Sequence, residues 1–487
     1  MKLSSKKFVS TIVILLSQST ICWFTQIVNN IRIAEEFPNP LEESLRYLRE
    51  DDYMISLNFS DAVISNINQN FISNPLITCL NLTGNYIENI ERGAFNKLPN
   101  LTRLFLSNNR FQNLNNLFNL GSHNKLKALV INNAVTSNWN HETIEIYDEY
   151  PNLEILSLRK NNLYGNMQFS SVSDSFYSYG SLIKQRTLFP KLKILDLSEN
   201  NIKVINFLEL LPNSLHFLDL HDNSLHSLNL ENKITKLFAL NLDKNNFRHI
   251  SNYYNQLSQL YDMYSSSESS LSMAGLKNLQ YLSISANDIT DIELNAFENN
   301  NNLLYLNLSA NNIKYLHAET FANLQHLKTL DLSSNKFENV PQFINNIEIS
   351  TLYINYNNIT KLFSYTFLNM PKLTKLLLRG NNIDEINVNA FAYLSFLEEL
   401  DLSKNALNFL PQRWADTLVS LKYLDLSNNK FTSLESLSLT NALSLIEIYF
   451  MMNPLEQLNI TYLKSLPQNF TVNLNQSMFQ WYDPKKN

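Results

Sequence analysis

The feature that most constrains this chain is a nine-residue pattern, L-x-x-L-x-L-x-x-N, which recurs between Leu279 and Asn453. The asparagines closing its eight copies are Asn287, Asn311, Asn335, Asn357, Asn381, Asn405, Asn429 and Asn453, separated by 24, 24, 22, 24, 24, 24 and 24 residues. A fixed period of this size predicts stacked units. None of them can bury its own apolar side, so each is stabilised by its neighbours.

The residues of one copy indicate its local structure. Leu424 and Leu426 flank Asp425 with period two, so the leucines face one side of a short strand and the aspartate the other. The closing asparagine sits where the chain leaves the strand. A buried amide there can satisfy the free backbone groups of the turn, and equivalent amides then form a ladder along the stack. Apolar marks follow, such as Ile313 and Leu316, or Ile383 and Ile386. Ten residues past the asparagine a phenylalanine recurs, at Phe95, Phe297, Phe321, Phe367 and Phe391, and predicts a stacked row inside the outer wall.

The pattern extends towards the N-terminus. Asn85, Asn109, Asn161, Asn200, Asn223 and Asn245 close six further copies, and two degenerate copies end in Ala62 and Ala134, making sixteen. At roughly 4.8 Å per strand, sixteen strands span about 75 Å, so one elongated domain is expected over residues 54–453. Two long gaps interrupt the period. One, with an insertion near 163–190, holds a Ser- and Tyr-rich stretch from Phe169 to Tyr179; the other, near 251–275, holds Tyr253, Tyr254, Tyr261, Tyr264 and the run Ser265–Ser272. Insertions of this kind emerge as loops on one face, either as a binding element or as a plain excursion. Residues 20–53 and 454–487 are expected to cap the two ends.

Residues 1–19 have the layout of a secretory signal peptide: Lys2, Lys6 and Lys7, an apolar run from Phe8 to Leu16, then small residues. A second reading stays open, because Phe8 to Val28 carries no charge and is long enough to span a bilayer as an uncleaved anchor. Either way the repeats are expected outside the cell. No second apolar span and no apolar C-terminal tail follow, so neither a type I receptor nor a lipid-anchored form is expected. Cys22 lies in or beside the leader, which leaves Cys79 without an internal partner and predicts an inert, half-buried thiol. Eight N-x-S/T triplets accord with secretion: Asn58, Asn81, Asn100, Asn307, Asn358, Asn459, Asn469 and Asn475. An Asn-rich repeat also generates such triplets by composition alone.

Catalytic chemistry finds little support. The seven glycines form no phosphate-cradling loop, and His141 to Glu145 starts like a zinc-protease helix but lacks the second histidine. His221 with Asp196, Glu199, Asp219 and Asp222 could hold a divalent cation. Aspartate is common at this repeat position, however, and an ordinary solvated ladder is favoured. No catalytic residue, cofactor or metal is assigned. The net charge of -6 argues against a generic nucleic-acid binder.

On these motifs the chain resembles extracellular leucine-rich repeat proteins of the 24-residue type, the group of Toll-like receptor ectodomains, chaoptin-like and Slit-like proteins. The resemblance implies an α/β repeat fold, a solenoid or horseshoe of about sixteen repeats with a parallel sheet on its concave face, binding proteins, glycans or lipopeptides. The chain departs from that group in having no paired cysteines after Asn453-Pro-Leu455 and no signalling domain after the repeats.

Projecting the odd positions of each copy onto the sheet gives Arg103, Arg159 and Lys160 early. Tyr281, Tyr305, Tyr353, Tyr356, Lys375, Arg379, Tyr423 and Tyr449 follow. Tyrosine and arginine dominate protein interfaces because they bury area at low entropic cost. The expectation is a secreted recognition or adhesion protein that binds a protein or acidic-glycan partner on the C-terminal half of this face, with glycans at Asn58, Asn81 and Asn100 shielding the first third. The alternative is a membrane-anchored receptor or co-receptor. A homo- or hetero-oligomer is left open.

Overall fold

The computed structural model describes residues 55–112, 118, 120–121, 123–136, 141–146, 148–171, 189–206, 211–230, 234–252, 269–344, 348–466 and 470–475. The expected leader and N-terminal cap lie outside them. So do the interiors of both insertions, including Tyr253, Tyr254, Tyr261 and Tyr264, and the triplet at Asn469.

Residues 54 onward form one unit, a solenoid built on a seventeen-stranded parallel sheet. Its strands follow chain order, from Ile55–Asn58 and Ile77–Asn81 to Glu447–Tyr449 and Thr471–Asn473. All sixteen predicted copies supply a strand. The seventeenth, Thr471–Asn473, comes from the C-terminal cap and pairs in parallel with Glu447–Tyr449. The cap therefore closes the stack by continuing it.

Register follows the repeat. Leu330, Leu352, Leu376, Leu400 and Leu424 pair in succession, so every fourth-position leucine lies beside its counterpart and points inward. These leucines are fully buried. The asparagine ladder is as predicted. Asn381 donates from Nδ2 to the carbonyls of Ile354 (3.0 Å) and Leu378 (2.9 Å), and its Oδ1 accepts the Ile359 N–H at 3.3 Å. One side chain thus ties two copies together and leaves no turn group of its own unpaired.

The outer wall holds the phenylalanine row. Phe297 and Phe321 meet at 5.7 Å, Phe321 and Phe343 at 5.7 Å, and Phe367 and Phe391 at 5.9 Å with planes 6° apart. Trp414 takes the next place in the row, 5.9 Å from Phe391, and donates from Nε1 to the Leu437 carbonyl.

The return legs are turns rather than helices, which qualifies the α/β expectation. Among the described residues the one α-helix is Ile460–Ser465. Each leg is short and closes with i→i+3 bonds, such as Ala296 N–H to Glu293 O and Asn300 N–H to Phe297 O. A nucleated helix needs more length than this to become stable.

Both insertions leave the main sheet undisturbed, since Ser157 pairs with Asp196 and Asn241 with Ser283 across them. Their described ends join short outer ladders instead. Leu163–Ser171 lies between His141–Ile146 and Asn201–Ile205, and Ser270–Ser272 between Leu228–Asn229 and His249–Ser251. His141 to Glu145 is accordingly strand, not a metal-binding helix.

Candidate functional site: the outward face of the main sheet

Positions three, five and seven of each copy project away from the leucine core, so sixteen adjacent triplets build one continuous face, apolar at Phe105, Val130, Ile155, Ile194 and Phe217 and more polar beyond them. The chain turns at position eight with left-handed backbone, at Glu199, Asp222, Lys244, Tyr356 and Lys404 among others. Side chains at position eight therefore leave the strand's alternation, although Glu199 and Tyr356 still meet position-seven side chains of the face.

That turn divides the acidic group around His221. His221 Nδ1 lies 2.7 Å from Asp219 Oδ1, its Nε2 lies 3.8 Å from Glu199, and Glu199 is bound in turn by Arg159. Asp196 accepts from Ser157 and Ser198. Asp222 is exposed and stands apart from the group. Burial works against a charged His221, but Asp219, Glu199 and Asp196 outweigh it and raise the imidazole to about 10. His221 and Arg159 hold Glu199 down at about 2. The histidine is thus a clamped cation inside an ion-pair network. Among the described residues no group of His, Cys, Asp and Glu is placed to hold a metal.

Further along the face, Tyr281 and Tyr305 stack with centroids 4.6 Å apart and planes 5° from parallel. Both are more than nine-tenths buried, at 8% and 6% exposed. Small neighbours allow this, since Ala239 pairs with Tyr281 and Thr329 with Tyr305. Burial raises both phenols, with Asp243 and Asp331 adding to the effect at Tyr305. These two tyrosines lie flush in the face and do not protrude as anchors.

The C-terminal half is more open. Tyr353, Tyr423 and Tyr449 are half-buried, and Tyr356 is 37% exposed. The two expected cations are already engaged. Lys375 Nζ lies 2.7 Å from Glu399. Arg379, only 7% exposed, donates from Nε to Tyr356 Oη (3.1 Å) and from Nη1 to Ser403 Oγ (2.9 Å). A position-seven side chain lies along the sheet rather than standing off it, which a linear pattern does not reveal. Tyr449 donates to Glu447, and this bond raises its phenol to about 12.

The expected glycosylation positions separate. Asn58, Asn358, Asn459 and Asn475 are exposed and Asn307 is half-buried. Asn81 is enclosed, its Nδ2 donating to Asn58 Oδ1 at 3.0 Å and its Oδ1 accepting the Thr83 N–H. Its enclosure sets it apart from the exposed Asn58 beside it. Asn100 donates from Nδ2 to the Pro75 carbonyl. Cys79 is a free, half-buried thiol on the same face.

Two features escaped the sequence reading. Asp401 and Asp425 are both fully buried and directly paired across adjacent strands. Burial, then repulsion from Asp425, raises Asp401, whose Oδ2 has no hydrogen-bond partner among the described residues. The alternation signal was visible, but the burial of the pair was not. The second is a cleft of about 630 Å³ on the outer wall, lined by Arg92, Asn96, Gly121, His123, Lys125 and Asp148. No periodic signal marks it.

Comparison with known proteins gives the fold a wider frame. The family described as Leucine rich repeat matches residues 55–131, 277–337, 347–407 and 395–462, more than half of the chain. The curated Leucine-rich repeats and immunoglobulin-like domains protein 2 of Mus musculus is 36% identical over 95 residues, which is 19% of this chain and 9% of the length of that relative. Among solved structures, a leucine-rich repeat protein of Leptospira interrogans aligns with a TM-score of 0.58 at 20% identity, covering 88% of this chain and 98% of that one. The leucine-rich repeat ectodomain of the receptor kinase GASSHO1/SCHENGEN3 from Arabidopsis thaliana, solved in complex with Casparian strip integrity factor 2, aligns at 0.50 and 20% identity. That match covers 87% of this chain and 50% of the other. Scaffolds of this fold mediate interactions between proteins, and with its repeat, its asparagine ladder and this match the chain belongs to the leucine-rich repeat family.

Proposed function

We propose that this chain is an extracellular recognition protein that binds a protein partner on the outward face of the C-terminal half of its main sheet. The observation that carries this reading is the set of part-exposed tyrosines held in fixed poses. Tyr356 lies on Gly380 and accepts from Arg379, and Tyr449 is bonded to Glu447. Tyr353 and Tyr423 stand on nearby strands. Aromatic side chains ordered before binding lose little entropy when they are covered, which is where interfaces gain most. Because Lys375 is paired with Glu399 and the donors of Arg379 are committed to Tyr356 and Ser403 within the face, a protein fits it better than an acidic glycan.

Secretion is part of the proposal and rests on the leader-like residues 1–19 and the exposed glycosylation triplets. Among the described residues no helix is long and apolar enough to cross a membrane. The anchored reading rests on Phe8 to Val28, and N-terminal sequencing of the mature protein separates the two.

The test is an affinity capture from host material followed by substitution. Tyr353→Ala should weaken the captured partner by about 2 kcal/mol or more, roughly thirtyfold, while Arg103→Ala on the distant N-terminal strand should change little. Equal losses, or a larger one at Arg103, would place the partner elsewhere.

A further inference from the structure

The middle of the outward face has an unusual charge pattern. From Ala239 to Asn355, positions three, five and seven of five successive copies contain no lysine, arginine or histidine. They contain two aspartates, Asp243 and Asp331, on either side of the Tyr281–Tyr305 stack. The cations beyond them are committed, His221 to Asp219 and Glu199, Lys375 to Glu399, and Arg379 to Tyr356 and Ser403.

The groups converge although they come from different strands. Tyr305 lies within electrostatic reach of Asp243, Tyr281, Asp331 and Tyr353 together, and Asp243 and Asp331 repel one another. Each aspartate spends one oxygen on its own copy or the next. Asp243 Oδ1 accepts from Ser283 Oγ and the Ser285 N–H, and Asp331 Oδ1 accepts the Ser333 N–H.

A second observation points to a ligand. Tyr305 is only 6% exposed, yet its hydroxyl has no hydrogen-bond partner among the described residues. The hydroxyl itself is not enclosed and still meets solvent at the face. The parallel ring at 4.6 Å fixes this phenol in place, so its oxygen stays at the face as an acceptor.

We infer that this part of the face seats a cationic side chain of the partner, an arginine, between Asp243 and Asp331 at the hydroxyl of Tyr305. The proposal rests on the reading of this face as the recognition surface and adds the chemistry of what it recognises. Arginine fits better than lysine, because its planar fork carries five donors for acceptors spread over several strands and it sheds water more readily. The guanidinium supplies the charge that two crowded carboxylates lack, and the phenol oxygen accepts one of its N–H groups.

The test uses a fluorescein-labelled hexa-arginine peptide, with hexaglutamate beside it, titrated against the whole chain by fluorescence anisotropy. Asp331→Asn is the main variant. Asn307 occupies the same repeat position and accepts the Ser309 N–H at 2.9 Å, so the amide keeps the fold while removing the charge. Hexa-arginine should bind the wild type, weaken about tenfold in Asp331→Asn and about threefold in Tyr305→Phe, and stay unchanged in the exposed control Asp384→Asn. Equal effects of Asp331→Asn and Asp384→Asn would overturn the seat, as would tighter binding of hexaglutamate. If the native partner depends on Tyr353 while hexa-arginine ignores Asp331, the seat fails and the recognition face stands. If hexa-arginine obeys Asp331 but the captured partner is indifferent to Tyr353, the seat stands and the wider reading of the C-terminal half fails.

Discussion

Arg379 reaches back across one copy to Tyr356, donating from Nε to the phenol oxygen at 3.1 Å. The same tyrosine ring covers Gly380, where a Cβ would run into it, and Gly380 takes the left-handed turn at φ +66°. Three side-chain choices in neighbouring copies therefore depend on one another. The turn alone does not demand glycine, since Lys404 and Asn428 hold the same position at φ 54° and 58°. The ring does.

A double-mutant cycle follows from this arrangement. Gly380→Ala should destabilise the solenoid by about 1–3 kcal/mol, and the loss should shrink by half or more when Tyr356 is also replaced by Ala. Chemical denaturation of the four proteins measures the coupling. Additive losses would show that ring contact is not what selects glycine.

The ladder and the core can be weighed in one copy. Asn381→Ala removes two donors and an acceptor from buried turn groups and should cost about 1–3 kcal/mol. Leu376→Ala, on a fully buried leucine, should cost about 2–5 kcal/mol by leaving a cavity. Unfolding curves that match wild type for both would contradict the packing described.

Stability should also depend on pH, in the same direction at three sites but over different ranges. Asp331 is raised to about 6 by burial, and Asp401 is raised by burial and by Asp425. The folded state binds these protons more tightly than the unfolded chain does, so their contribution grows as pH falls from neutral towards the ordinary carboxylate range. The raised His221 acts in the same direction over a more alkaline range. Its contribution is complete below its ordinary value and is lost as pH climbs through about 10. Melting temperature should therefore rise between pH 8 and pH 5.5, and Asp401→Asn should flatten that rise while keeping the acceptor for the Ser403 N–H. An unchanged slope in Asp401→Asn would show that the carboxyl pair is not its source.

The sequence by itself determined the scaffold. Period, strand direction, leucine register and asparagine ladder were all legible, because each copy repeats the same solution and a pattern seen eight times leaves little freedom. It also located the degenerate copies at Ala62 and Ala134, since their leucine spacing survives the loss of the amide. What it could not give was the state of individual side chains on the face. Tyr281 and Tyr305 read as binding residues of the face and lie flush in it, because Ala239 and Thr329 beside them are small. Arg379 read as a free cation, but the copies on either side bring Tyr356 and Ser403 within reach of it. Asp401 and Asp425 read as solvated, and stacking encloses both. A repeat pattern records which way a residue points from its own strand. Burial, pairing and charge are set by residues one or two copies away, some 24 to 40 positions distant in sequence, and only the stacked structure brings them together.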